Sequence, residues 1–173
     1  RRAVGEVMSI GKTYKEAFQK AVRSLEIGRY GLGFAKDFHE RSLEELLRML
    51  VDPSSERQFI MYEALRKGAE IDELYRLTKI KRWFIEQMRE LVELEEKILA
   101  AAATGKHSDE PAVAIPDELL TRAKRDGFAD GYLARITGIP ERELRTRRLA
   151  LGIEEAWDAV PVSGVEDAAY YYS

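Results

Sequence analysis

Tyr14, Ala17, Phe18, Ala21, Val22 and Leu25 recur three and four residues apart, with Lys15, Glu16, Lys20 and Arg23 between them. That period is one apolar face of an α-helix. Thr13 and Glu16 form a capping box at its start, where hydroxyl and carboxylate can each take an orphan backbone N–H. Ser42 and Glu45 repeat the device ahead of a helix whose apolar side is Leu43, Leu46, Leu47 and Leu50, stopped by Asp52-Pro53. Ser55 with Gln58 predicts the cap of a third helix that carries Phe59, Tyr62 and Leu65 and ends at Gly68. A short helix over 71–77 follows, then a long one over 81–102 with Phe84, Met88, Leu91, Val92, Ile98 and Leu99 on one side. Glu95 interrupts that side and predicts looser burial in the last turns. Further helices are expected over 117–126, 130–137 and 140–151, the last with Pro140 at its first position.

Two segments break the helical pattern. Val4, Val7, Met8 and Ile10 predict a short strand for which the chain offers no partner downstream. A lone strand leaves its backbone groups unpaired, so residues 5–25 mark a boundary between a sheet domain and a helical one. Residues 160–164 look extended, and the chain closes on Tyr170-Tyr171-Tyr172-Ser173. Residues 100–116 shift to small and polar types with two prolines, as a connector between two helical halves does.

The halves also match each other. Ala64-Leu65-Arg66-Lys67-Gly68 and then Leu74-Tyr75-Arg76-Leu77-Thr78-Lys79-Ile80 align with Ala123-Lys124-Arg125-Asp126-Gly127 and Leu133-Ala134-Arg135-Ile136-Thr137-Gly138-Ile139, always 59 residues on and without a gap. In both, a helix ends at glycine, a short helix runs through Leu-x-Arg-(Leu/Ile)-Thr, and an isoleucine leads onward. The matched residues serve packing and helix stopping, so two copies of one helical unit are expected. The predicted fold class is mostly α: two similar small helical-bundle subdomains preceded by a short β segment.

Composition narrows the function. The 173 residues hold no cysteine and two histidines, which excludes a disulfide scaffold, a thiolate nucleophile and cysteine-ligated zinc. The net charge of −3 supplies no general pull toward phosphates. No apolar run reaches the roughly 20 residues of a membrane span, and no stretch resembles a secretory leader. The glycines of 28–33, GRYGLG, follow no strand and do not fit a dinucleotide cradle.

Candidate chemistry is sparse. His39 lies near Asp37 and Glu40, a solvated loop more readily than an acid–base site, and His107 sits in the connector. Glu93, Glu95 and Glu96 lack the Glu-x-x-His partner of a di-metal bundle. Trp83, Trp157 and Tyr170–Tyr172 could stack on bases, although core and domain-contact roles explain them better. Residues 133–148 invite a helix-turn-helix reading, with Arg142, Arg145, Arg147 and Arg148 on the second helix. Glu141 and Glu143 in its first turn, and the packing sequence Trp83-Phe84-Ile85 in the first copy, oppose it. No residue is assigned a catalytic, cofactor-binding or metal-ligating role.

Residues 5–21, GEVMSIGKTYKEAFQKA, resemble the signature G-E-V-M-x-I-G-(R/K)-(T/S)-(F/Y)-x-E-(A/S)-(F/L)-Q-K-A that closes the first synthetase half of the carbamoyl-phosphate synthase large chain. Pro53, Arg57, Tyr62 to Gly68, Trp83-Phe84, Ala123-Lys124, Gly127 to Asp130, Leu133-Ala134 and Arg145 to Arg148 are similar to that family's helical oligomerisation (connection) domain. The closing Tyr171-Tyr172-Ser173 resembles the lead into its second synthetase half. Residues 160–169, VPVSGVEDAA, depart from the family in lacking the cysteine and phenylalanine of a V-D-T-C-A-A-E-F-type stretch.

The resemblance implies a division of the chain. Residues 1–26 would end the first ATP-grasp synthetase domain, and the short β segment would be its remnant. Residues 27–103 would be the first helical subdomain, 104–116 the connector, 117–155 the second subdomain and 156–173 an extended linker. It implies a non-catalytic piece of an ATP-dependent, glutamine-hydrolysing ligase that serves arginine and pyrimidine biosynthesis in the cytoplasm. That parent uses ATP and Mg, with Mn or K as further ions, whereas this piece carries no cofactor. Implied partners are the flanking ATP-grasp domains, a glutaminase small subunit and further copies of the chain, with neither nucleic acid nor membrane. The rival readings are a helix-turn-helix-type nucleic-acid-binding regulator and a split enzyme whose subunit ends near this chain.

Overall fold

A computed structural model describes residues 13–19, 38, 40–54, 56–107 and 109–153, and the backbone of 158–161 and 169–172. The strand expected around Val4–Ile10 and the glycine loop 28–33 lie outside the described residues. Helical residues 14–19 come first. Then come α1 (Leu43–Met49), α2 (Arg57–Arg66), α3 (Ile71–Thr78), α4 (Arg82–Thr104), a 3-10 turn (Pro111–Ala114), α5 (Asp117–Arg125), α6 (Asp130–Thr137) and α7 (Glu141–Ala150). Two short strands, β1 (Asp158–Pro161) and β2 (Ala169–Tyr172), close the order. The described part is thus mostly α, as the sequence predicts. The stretch expected to be extended over 160–164 includes the end of β1, and β1 pairs antiparallel with β2, a pairing the sequence reading did not predict, Asp158 opposite Tyr172 and Pro161 opposite Ala169.

These residues form two compact units. One holds the described residues up to Lys97 except 13–19; the other holds 13–19 together with Ile98 onward. In the first unit, α1 packs on α2. Its core is built on Leu46, Leu50, Ile60, Met61, Ala64, Leu74, Ile85, Met88 and Leu91. In the second, α6 packs on α7 and α7 meets the 3-10 turn, around Ile115, Leu120, Ala123, Phe128, Leu133 and Leu144.

The caps follow the sequence in part. Thr13 Oγ1 accepts from the Glu16 amide at 3.2 Å. The Ser42 box is complete: Ser42 Oγ accepts from Glu45 N at 3.2 Å, and Ser42 N donates to Glu45 Oε2 at 3.1 Å. Ser55, of the expected Ser55–Gln58 cap, lies outside the described residues; α2 has Glu56 at its N-cap, and the amide of Glu56 donates to Ser54 Oγ at 3.3 Å. Pro140 is the N-cap of α7 and not its first helical residue, since its ψ of 133° is extended.

The 59-residue match is a match of atoms. Gly68 and Gly127 follow the first helix of each copy at φ +92° and +93°. The amide three residues beyond each helix end reaches back to the equivalent carbonyl, Ala69 N to Ala64 O at 2.9 Å and Phe128 N to Ala123 O at 3.0 Å. That is a Schellman-type stop, in which a left-handed residue lets the chain satisfy terminal carbonyls. The short helices end alike at Lys79 (φ 58°) and Gly138 (φ 75°). Thr78 Oγ1 donates to Leu74 O at 2.7 Å and accepts from Ile80 N at 3.2 Å. Thr137 Oγ1 does the same with Leu133 O at 2.6 Å and Ile139 N at 3.2 Å. Leu74 and Leu133, one turn before each threonine, are fully buried.

Because the two threonines do the same work, Thr78→Val and Thr137→Val should each destabilise their unit by about 1–2 kcal/mol, the cost of one hydrogen-bonding hydroxyl at a part-buried helix end. Urea unfolding of the two variants checks this. A large loss in one and none in the other would contradict the equivalence.

Candidate functional site

The long helix α4 carries the clearest departure from the sequence reading. Glu95 does not loosen its last turns: Glu95 is 2% exposed, and Ile98 and Ala102 beyond it are buried. An ion pair makes this affordable. Arg66 Nη2 on α2 lies 2.7 Å from Glu95 Oε1 and 2.6 Å from Oε2, while its Nη1 lies 3.3 Å from Glu63 Oε2. The same guanidinium sits 4.9 Å from the centre of the Tyr62 ring. Charge that would otherwise face an apolar surround is matched where it is buried. Leu99, expected on the apolar side, is 37% exposed.

A second buried cluster ties the ends of the second unit. Asp130, at the start of α6, holds Arg148 Nε at 2.9 Å through Oδ2 and Lys124 Nζ at 2.9 Å through Oδ1. Lys124 Nζ also donates to Phe128 O at 2.8 Å, and Arg148 Nη1 to Ile153 O at 2.8 Å. Arg147 donates to the Ala112 carbonyl of the 3-10 turn and lies 2.5 Å from Asp117 at the start of α5. The stretch expected as a connector therefore includes a fastened turn, with Ala112 and Ile115 buried.

These contacts decide the arginine-rich helix. Arg142 and Arg145 are exposed, but Arg147 and Arg148 are engaged in internal ion pairs. Half of the proposed recognition surface is thus committed to holding helices together, and nothing in the structure supports the nucleic-acid reading. Trp83 departs from its expected packing role in being 52% exposed, its ring edge-on to Phe84 at 4.9 Å. Glu40 and His107 are exposed. His39, Asp37 and Trp157 lie outside the described residues, as do the side chains of Tyr170–Tyr172. Among the described residues, no three His, Asp or Glu side chains gather to hold a metal ion. No described helix is long and apolar enough to cross a membrane.

The described residues also form a concave surface. Lys15, Glu118, Thr121, Arg122, Arg125 and Asp126 line an open groove of about 550 Å³ between the helical residues 14–19 and α5. Its charges are mixed, and Asp126 Oδ2 lies 4.0 Å from Lys15 Nζ and 3.9 Å from Arg122 Nε. The arrangement holds surfaces together; it does not align a nucleophile with a base.

The family model described as carbamoyl-phosphate synthetase large chain, oligomerisation domain, matches residues 6–152. This chain belongs to that family. It is 41% identical over 175 residues to the carbamoyl phosphate synthase large chain of Archaeoglobus fulgidus, covering 99% of this chain and 16% of that protein. The Aquifex aeolicus "large chain, N-terminal section" is also 41% identical over 175 residues, with 29% of that protein covered. The arginine-specific large chain of Arabidopsis thaliana, named as chloroplastic, is 36% identical over 179 residues. This chain thus spans about a sixth of the length of that Archaeoglobus fulgidus large chain. The family resemblance read from residues 5–21 and from the looser matches downstream is borne out.

Two measurements follow from the buried charges. Arg66→Met leaves Glu95 and Glu63 without their shared cation and should cost about 3–5 kcal/mol, as loss of one partner from a buried pair does. Glu93→Gln breaks only the half-exposed pair with Arg89, 3.5 Å apart, and should cost about 0.5 kcal/mol or less. Denaturant unfolding compares them.

The second concerns alkaline pH. Burial pushes the Tyr14 phenol from 10.0 up to about 12. Burial, then the Glu95 charge, pushes Tyr62 up as well. The unfolded chain releases these protons near 10.0 while the folded chain keeps them, so stability is full below that pH and falls as pH rises toward 12. Tyr14→Phe should shrink the loss measured by unfolding between about pH 10 and 12.

Proposed function

We propose that this chain acts as the helical connection and oligomerisation domain of a glutamine-dependent carbamoyl-phosphate synthase, linking two ATP-grasp halves and taking no part in catalysis itself. The observation that carries this reading is the use of charge. Arg66, Glu95, Lys124, Asp130, Arg147 and Arg148 join helix to helix or helix end to turn. In this reading the parent makes carbamoyl phosphate from bicarbonate, glutamine-derived ammonia and ATP, for arginine and pyrimidine synthesis in the cytoplasm. ATP and Mg bind in the flanking halves; no described cluster of this chain fits a metal ion. A glutaminase small subunit and a second copy of the large chain complete the assembly. The divisions 1–26, 27–103, 104–116, 117–155 and 156–173 then mark the end of one synthetase half, two helical subdomains with their connector, and the lead to the other half. Two relatives bear the name "large chain, N-terminal section", which supports a second arrangement, with the halves on separate chains.

Sedimentation and ATP turnover of the purified chain test the proposal. The expected result is self-association without bicarbonate-dependent ATP hydrolysis. Robust hydrolysis by the chain alone overturns the non-catalytic role, and a strictly monomeric chain overturns its self-association.

A further inference from the structure

The two copies of the helical unit end their first helix in the same backbone geometry, yet only one of these ends is shown to receive another helix. A Cβ placed on Gly127 would lie 2.9 Å from Glu16 Cα, 3.1 Å from Gln19 Cβ and 3.3 Å from Glu16 O. The bare glycine is what lets the backbone of residues 14–19 come down onto the end of α5. Among the described residues, a Cβ on Gly68 would meet nothing within 4 Å. Backbone shape does not separate the two ends, because their φ values are +92° and +93° and their closing hydrogen bonds 2.9 and 3.0 Å. The residue just before each glycine does separate them. In the second copy it is Asp126, 4.0 Å from Lys15 Nζ, both side chains being less than a fifth exposed. In the first it is Lys67, of the same sign as Lys15. Phe18 and Gln19 are buried at 6% exposure each, so the segment is seated and not merely adjacent.

We infer that Asp126 and Gly127 form a selective seat for the helix at 14–19. Gly127 supplies the clearance, Asp126 the charge that accepts Lys15, and Lys67 the charge that disfavours the same docking on the first copy. Resting on the function proposed above, this seat is where the first synthetase half grips the connector. The grip falls on the copy more distant in sequence and bypasses the one that follows directly. Asp126 is a specificity-determining residue for that junction: opposite charge attracts here, and like charge at the equivalent position penalises the alternative. Arg122, 3.9 Å from Asp126, shares the carboxylate and holds it toward the groove.

Hydrogen exchange of the amides in 14–19, measured by mass spectrometry on the full chain, tests the seat. Asp126→Lys should speed exchange there about tenfold, and Lys15→Asp added to it should return the rate to within about threefold of the parent. Gly127→Ala should also speed exchange about tenfold. Gly68→Ala is its control, with the same left-handed strain and no described neighbour to strike, and should leave 14–19 unchanged. If Gly127→Ala disrupts the unit as a whole, the charge swap still decides the matter. Equal exchange in the two alanine variants, or a double variant as unprotected as Asp126→Lys, overturns the seat. Neither result bears on ATP turnover or self-association, so failure of the seat and failure of the proposed function are told apart.

Discussion

A helix of seven to ten residues gains too little from its own hydrogen bonds to persist in water. Most of the described helices are of that length. They persist because each is stopped at a defined residue and the chain is turned at once onto the next buried contact. Gly68 and Gly127 perform the first stop in each copy, and Thr78 and Thr137 tie off the second by bonding a carbonyl behind and an amide ahead. The register of Leu74 and Leu133 in their cores follows from these stops. At the second stop the first copy tolerates Lys79 in the left-handed region where the second has Gly138. A non-glycine residue there costs roughly 1–2 kcal/mol, which the surrounding contacts offset.

On this frame, buried charge does what apolar packing alone does not. Glu95 lies among the apolar residues of α4 and is matched by Arg66 across from α2. Asp130 gathers Lys124 and Arg148 from the helices on either side of α6. Such pairs add little net stability over an apolar core, but each is costly to break from one side. They therefore specify which helix faces lie together. For a chain whose family model is described as an oligomerisation domain, that is the relevant property: helix faces in fixed register. The same logic removes the arginine-rich α7 from consideration as a nucleic-acid reader, since Arg147 and Arg148 are spent inside the unit.

Much of this was legible beforehand. Helical period placed α3, α6 and most of α4 within a residue or two. The Ser42 box was readable because its chemistry is local, two side chains and two amides within four residues. The 59-residue repeat was readable because glycine stops and threonine ties are few and positionally strict. Glu95 misled because a carboxylate on an apolar stripe looks like exposure unless its cation is known, and Arg66 is 29 residues away. The pairing of β1 with β2 was not read because the residues of 158–172 follow no clear alternating pattern, so the sequence marked 160–164 only as extended.

By itself, then, the sequence determined the fold class, the repeat, most helix boundaries and the family, all of which rest on interactions spanning four residues or fewer or on motifs read in a line. Only the tertiary structure decided that Glu95 is buried, that Arg147 and Arg148 face inward, that Trp83 faces solvent, and that residues 14–19 sit on Gly127 and not on its twin. Each of those depends on which distant group comes within a few ångströms. Charge and clearance act through space, and a periodic pattern along the chain records which face of a helix is apolar but not what that face meets.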